Sequence, residues 1–293
     1  MTTFPITSAA PARRRSVPSG YFPLLPPLAI LLLVFALPMG LMIGLSFQDS
    51  RTGAPGLGSY ARLASDDLAL AGLWRTLVMS ATVAVCVTVM AYPIAYFLAR
   101  STSRWRAVVF GLAIAPELAG VVLRTYGWLI ILEDQGFINN LLLWTGIIQT
   151  PLHMSNSMFA VVVGLTHVLL PFGILSLLTN IQGIDANLEK AAQVLGASRL
   201  SVLRRIVLPL SVPGIVSSML IAFTLAASAY ATPALLGGIK FGVLATMIYH
   251  QVMVYINWPY AAVMANVLLI IVMAMAFFGS RIETRLVNRL HVR

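Results

Sequence analysis

Charge is scarce in this chain. Only 10% of its 293 residues are Asp, Glu, Lys or Arg, against about a quarter in soluble globular domains, while 59% are hydrophobic and the mean hydropathy is +0.90. A water-soluble multidomain architecture is thereby excluded, because apolar runs recur from Tyr21 to Phe278 and leave no stretch long enough for a solvated core. Cysteine is almost absent: the single Cys86, in Ala84-Val85-Cys86-Val87, rules out an intrachain disulfide and a thiolate metal cluster and reads as a packing residue. The four histidines, His153, His167, His250 and His291, are dispersed and never form H-E-x-x-H, so metalloprotease chemistry has no support. No G-x4-G-K-S/T phosphate loop occurs, and Gly237-Gly238-Ile239-Lys240 lacks its spacing. The chain is expected to be no enzyme by itself and to bind no cofactor or metal.

Acid is scarcer than base, nine Asp and Glu against nineteen Lys and Arg, for a formal charge of +10. The basic residues are scattered between apolar runs, with no stripe of interleaved aromatics, so nucleic acid is not an expected partner. Their distribution carries orientation instead. Windows of about 20 apolar residues, the length that crosses about 30 Å of hydrocarbon, place six spans at 23–46, 73–98, 107–132, 157–179, 209–231 and 260–279. The expected fold is therefore an all-α integral membrane protein surrounded by lipid. Internal prolines such as Pro93, Pro116 and Pro171 do not argue against helix, because neighbouring helices satisfy the freed carbonyls. Arg13-Arg14-Arg15 precedes the first apolar run as in a secretory signal. That run, 21–47, is too long for a signal core and lacks an A-x-A-like cleavage site, so a retained first span is expected.

Fourteen of the nineteen Lys and Arg fall on one side of these spans, and only Arg51, Arg62, Arg75, Arg124 and Lys240 on or near the other. The positive-inside rule then places both termini in the cytoplasm. The expected organisation is a cytoplasmic N-terminal tail (1–20), a membrane domain (21–280) and a cytoplasmic C-terminal tail (281–293).

One cytoplasmic segment, about 180–208, is long, polar and patterned. Asp185 or Asn187 can cap a first helix, Glu189 favours its positive end, Ala191 and Ala192 propagate it, and Gly196 stops it. Ser198 can cap a second helix, which runs through Leu200, Val202 and Leu203 until Pro209 restricts the chain. Helical pattern alone leaves two readings open: an amphipathic element on the inner leaflet with Arg199, Arg204 and Arg205 near lipid phosphates, or a protrusion that receives another protein.

Glu189-x-Ala191-x3-Leu195-Gly196, followed by Ile206-x-Leu208-Pro209, resembles the EAA loop of bacterial ABC-importer permeases, with Lys190 displacing the first alanine. Further matches resemble the spermidine/putrescine type: Leu123-Arg124-Thr125-Tyr126-Gly127-Trp128, Gly136-x-Ile138-Asn139-x2-Leu142, Thr232-Pro233-Ala234-Leu235-Leu236-Gly237-Gly238, Trp74-Arg75-Thr76-Leu77 and Tyr92-Pro93-x-Ala95-x2-Leu98-Ala99-Arg100. The likeness covers nearly all of the chain after residue 20. It implies a type I importer permease in the bacterial inner membrane, whose loop is a coupling helix seated in a cleft of the cytoplasmic ATPase. Glu189, Ala191, Ala192, Gly196, Leu208 and Pro209 are the coupling residues so implied. It also implies two ATPase subunits holding ATP and Mg, a second permease that is more often a different chain, and an external solute-binding protein.

Ionisable groups at membrane depth are costly and point to function. Glu117 and Arg124, seven residues apart, are expected two turns apart on one face of span three, lining the solute route. Alternatively Arg124 snorkels to the outer interface and Glu117 pairs with a neighbouring helix. An anion at 117, where the resembling permeases more often carry a neutral residue, suits a cationic solute. Tyr126, Trp128, Ser228 and Tyr230 are candidate lining groups, each with a packing or interface role as the alternative. His167 is expected as a hydrogen-bonded interior residue. Two rival functions remain: a secondary transporter driven by an ion gradient, which predicts inverted repeats and a midplane acidic cluster that are not visible, and a non-transporting scaffold that recruits an ATPase.

Overall fold

The computed structural model describes residues 25–50, 53–238 and 241–291, with side chains to 285. The 1–20 tail with Arg13, Arg14 and Arg15, and also Arg51, Lys240 and Arg293, lie outside the described residues. Fourteen α-helices follow in order: α1 (Leu25–Ser46), α2 (Gly58–Ser65), α3 (Asp67–Arg100), α4 (Trp105–Leu118), α5 (Val121–Leu132), α6 (Phe137–Trp144), α7 (Met158–Gln182), α8 (Ala186–Val194), α9 (Arg199–Val202), α10 (Leu208–Leu210), α11 (Val212–Ser228), α12 (Ala231–Leu236), α13 (Leu244–Met253) and α14 (Trp258–His291). A five-residue π-turn, Leu203–Val207, joins α9 to α10. Among the described residues the only β pairing is one bridge, Gln48 to Pro55.

Among the described residues four helices, α1, α3, α7 and α14, are long and apolar enough to cross a membrane unbroken, and two bent pairs raise the count to six when each pair is taken as one span. Spans one, two, four and six thus fall where the apolar windows place them. Pro93 and Pro171 are carried inside continuous helices. Span six does not stop at 279, since α14 runs on to His291 through much of the expected tail.

Span three differs from expectation. It is not one helix but two, with a bend of 100° between Trp105–Leu118 and Val121–Trp144. Pro116 removes one helical donor and clashes with the preceding turn, and Gly120 has the largest helix cost of any residue but proline. Ala119 and Gly120 take extended backbone (ψ 135° and 145°), and the helix restarts with the Arg124 amide donating to the Gly120 carbonyl at 3.2 Å. The fifth span is bent by 65° where Arg199–Leu210 meets Val212–Ser228. Proline at 209 and 213 brackets that bend, and neither can donate a ladder hydrogen bond.

Helices in lipid gain nothing from burying leucine against leucine rather than against acyl chains, so close backbone approach must hold them. The centre of the bundle obeys this. Along α3 the buried residues Thr76, Ser80, Val83, Val87, Ala91, Ala95 and Leu98 recur every three to four positions and face α7 and α11. Gly173 of α7 sits at the junction of the three: a Cβ there would meet Val87 Cγ1 at 2.6 Å, Ser218 Oγ at 3.2 Å and Ala91 Cβ at 3.3 Å. At the same junction, Thr88 and Ser218 bond through their hydroxyls at 3.1 Å.

The end of the bundle away from α8 has its own tie. Asp66 caps α3 by accepting the Leu68 and Ala69 amides, and its other oxygen accepts the Tyr260 hydroxyl of α14 at 2.7 Å. Burial works to raise the Asp66 carboxyl, yet the Tyr260 bond, the two amides and the Arg62 charge outweigh it and hold the group below the ordinary carboxylate range. A carboxyl depressed in the folded state stabilises above its unfolded pKa, and that contribution fades as pH falls through the lower folded value. Asp66→Asn is therefore expected to lower the melting temperature in detergent by a few degrees at neutral pH, with the gap to wild type closing below about pH 4. A constant gap across that range would contradict the linkage.

Coupling loop and membrane ion pair as candidate functional site

The segment between α7 and α11 folds as its capping residues dictate. Asp185 Oδ1 accepts the Asn187 amide at 2.9 Å to start α8, so Asp185 is the cap and Asn187 is not. Gly196 takes φ +87° and ends it, the Gly196 amide bonding Gln193 O and the Ala197 amide bonding Ala192 O, both at 3.0 Å. That left-handed turn is one that glycine adopts without penalty. Ser198 Oγ then caps α9 by accepting the Ser201 amide. Val202 and Val207 are buried and anchor the second half of the loop, which widens into the π-turn before the bend at Ser211.

The exposed surface of α8 carries apolar side chains beside Asn187, Lys190 and Gln193. Val194 and Leu195 are each 88% exposed, Leu188 is also exposed, and Ala191 lies open on the same helix. Large apolar side chains on a protruding, otherwise polar helix mark an interaction surface. Leu188 and Val194 escaped the sequence reading, although an apolar residue at each end of a polar helix was the available signal. Ala192 is half-buried, Gly196 is exposed, and Leu208 and Pro209 are exposed at the start of the bend. Glu189 is the exception among the coupling candidates: it is buried, with its carboxylate turned into the chain.

Glu117 and Arg124 do not share a face of one helix as expected; they face each other from two helices. Glu117 lies in the last turn of α4 and Arg124 in the first turn of α5, and their ion pair (Arg124 Nη1 to Glu117 Oε2, 2.7 Å) straps the 100° bend. The Arg124 side chain is buried, with Nε lacking a hydrogen-bond partner, while the Glu117 carboxylate is over a third exposed. Trp128 packs edge-on against His167, ring centres 5.7 Å apart. His167 is not hydrogen-bonded as expected, since its Nδ1 is buried without a partner.

The other route candidates lie elsewhere. Tyr126 is exposed beside the buried Thr125, which bonds Thr232. Ser228 closes on its own helix, donating to the Thr224 and Leu225 carbonyls. Tyr230 stacks on Tyr249 with ring centres 4.7 Å apart and lines a cavity of about 750 Å³ together with Asp66, His250, Gln251 and Tyr255. No other route candidate lines it. Asn139 shows a role unassigned from sequence: wholly buried, it donates to the Glu133 and Leu152 carbonyls and accepts the Leu152 amide, pinning the α5–α6 turn to the following loop.

A bundle of long apolar helices, with two bent helix pairs and a capped polar helix protruding between α7 and α11, is the architecture of an integral membrane protein. Residues 91–290 match the family of binding-protein-dependent transport system inner membrane components, and the chain belongs to that family. It is a multi-pass inner-membrane permease subunit of an ATP-binding-cassette importer, and no enzyme: in such systems ATP is hydrolysed by a separate subunit. The chain is 34% identical over 265 residues to the spermidine/putrescine transport system permease protein PotB of Salmonella typhimurium, covering 89% of this chain and 91% of that protein. The PotB of Escherichia coli is 33% identical over the same length, covering 95% of that protein. Among solved structures, the permease of a bacterial importer of the acidic polysaccharide alginate superposes with a TM-score of 0.76 at 20% identity, over 90% of this chain and 94% of that one. The MetNI methionine transporter gives 0.57 at 19% identity, over 74% and 95%. Family membership decides against the ion-gradient transporter.

Proposed function

We propose that this permease carries a polyamine or a related cationic compound and takes its driving movement from a cytoplasmic ATPase through residues 187–209. The observation that carries the coupling half is the protruding α8, capped at both ends and presenting Leu188, Ala191, Val194 and Leu195 outward. The solute half rests on the likeness to PotB and on a carboxylate, Glu117, partly exposed within a span. The working assembly pairs this chain with a second, different permease, two ATPase subunits that hold ATP and Mg, and an external solute-binding protein. Both termini and the coupling loop face the cytoplasm, on the side where most Lys and Arg fall. ATP binding closes the ATPases, displaces α8 and rocks the bundles between two access states.

Uptake of labelled spermidine and putrescine, with neutral and anionic control solutes, tests this in vesicles containing the chain and its partners. Wild type is expected to take up the polyamines only with ATP. Gly196→Asp is expected to keep the fold at a cost of about 1–2 kcal/mol, because a Cβ at 196 meets nothing within 4 Å and aspartate is among the residues that enter the left-handed region, though with strain. It places a charge beside the exposed apolar side chains of α8, and uptake is expected to disappear while the chain remains in the membrane. Uptake unchanged by the substitution, or driven without ATP, would overturn the coupling; a scaffold would show ATPase recruitment and no uptake at all.

A further inference from the structure

Three residues at four-residue spacing, Tyr92, Tyr96 and Arg100, form one face along the last turns of α3, and each bonds to the loop that α8 belongs to. Arg100 Nε donates to Glu189 Oε1 at 2.6 Å, and its Nη2 donates to the Ile184 carbonyl at 2.9 Å. The Tyr96 hydroxyl donates to Glu189 Oε2 at 3.0 Å. The Tyr92 hydroxyl bonds the buried Ser211 Oγ at 2.9 Å. Arg100 and Tyr96 hold the entry to the loop and its helix, and Tyr92 holds its exit at the 65° bend. Glu189, the acidic residue of the coupling motif, is thus consumed inside the chain, and the exposed surface of α8 is left without an acidic group.

We propose that Tyr92, Tyr96 and Arg100 are positioning residues that make α3 the receiver of α8 movement, and that Glu189 is their handle rather than a contact to the ATPase. Charge-assisted bonds to both carboxylate oxygens fix distance and direction together, as a movement-transmitting link must. The receiver is suited to its task. α3 runs 34 residues without a break while spans three and five are bent, packs on α7 and α11 through its buried stripe, and bonds to α14 through Asp66 at its far end. A displacement at Arg100 therefore reaches the opposite end of the bundle along a single rigid element, about 50 Å at 1.5 Å per residue.

The inference rests on the coupling reading above, and the test separates the two. In the assembled complex carrying Cys86→Ser, an environment-sensitive fluorophore on Leu68→Cys, an exposed position in the first turn of α3, reports ATP-driven movement, and capture of the ATPase by the tagged permease reports docking. Arg100→Gln is expected to cut the ATP-induced signal about tenfold with capture retained, within the usual range of coupling between sites. Tyr96→Phe, which removes one hydroxyl, serves as the mild variant should Arg100→Gln fold poorly, and is expected to lower the signal by about threefold. Exchanging the charges, Glu189→Arg with Arg100→Glu, is expected to restore part of it. A signal unchanged in Arg100→Gln and Tyr96→Phe, or a Glu189→Gln complex that loses ATPase capture, overturns the proposal. A wild-type permease that captures no ATPase overturns the coupling reading instead.

Discussion

Gly173→Leu is expected to prevent recovery of a folded, monodisperse permease from the membrane. The position has no room for even one carbon without movement, since Val87 Cγ1 would lie 2.6 Å from a Cβ and Ser218 and Ala91 close the other sides. Overpacking a dense interior costs about 1–3 kcal/mol when the core can adjust, and here three helix backbones would have to separate. Separation forfeits the close contacts that hold helices together in lipid, and no hydrophobic force replaces them. Losses near 3 kcal/mol translate into roughly 10 °C of melting temperature for a chain of this size. Gly127→Leu is the matched control: a Cβ there meets nothing within 4 Å, and no comparable loss is expected. Equal melting of the two variants in detergent would show that the three-helix junction does not carry the fold.

Arg124→Leu is the second large effect. It leaves Glu117 as an unpaired carboxylate; removing one partner of a buried ion pair costs about 3–5 kcal/mol, and because the Glu117 side chain is over a third exposed the expected loss falls below that range. Glu117→Gln strands the more deeply buried member, Arg124, whose Nε already lacks a partner, so it is expected to be at least as damaging. The double variant Glu117→Gln with Arg124→Leu removes both charges and is expected to regain more than half of the lost stability. A double-mutant cycle on melting in detergent reads the pair directly, and simple additivity would mean that the strap across the α4–α5 bend does no work. Polyamine uptake by the double variant bears on the solute as well, because a cationic solute that uses Glu117 loses affinity even where the fold is regained.

The two bends and the strap show where sequence reasoning ran short. Pro116 and Gly120 were both visible, but Pro93 and Pro171 lie in equally apolar runs and their helices continue. A proline is tolerated or not according to the neighbours that satisfy its freed carbonyl, and those neighbours are distant in sequence. The seven-residue spacing of Glu117 and Arg124 implies a shared helix face lining the route; they pair with each other instead because the bend folds one helix back against the next. The motif around Glu189 is legible in the sequence, yet the direction of its carboxylate depends on Arg100, eighty-nine residues earlier in the chain. Asn139 and the Tyr230–Tyr249 stack were equally hidden, because each partner comes from another segment.

Local chemistry alone set the membrane class, the places of the long apolar segments, and the caps and glycine stop of α8, because hydropathy over about 20 residues and capping over about four are short-range properties. The same short-range signals carried the resemblance to importer permeases. Tertiary structure alone decided which spans bend, which way Glu189 points and what Arg124 pairs with. Those outcomes depend on helices tens of residues apart arriving at one place, where close packing and the cost of an unpaired polar group in lipid select a single arrangement.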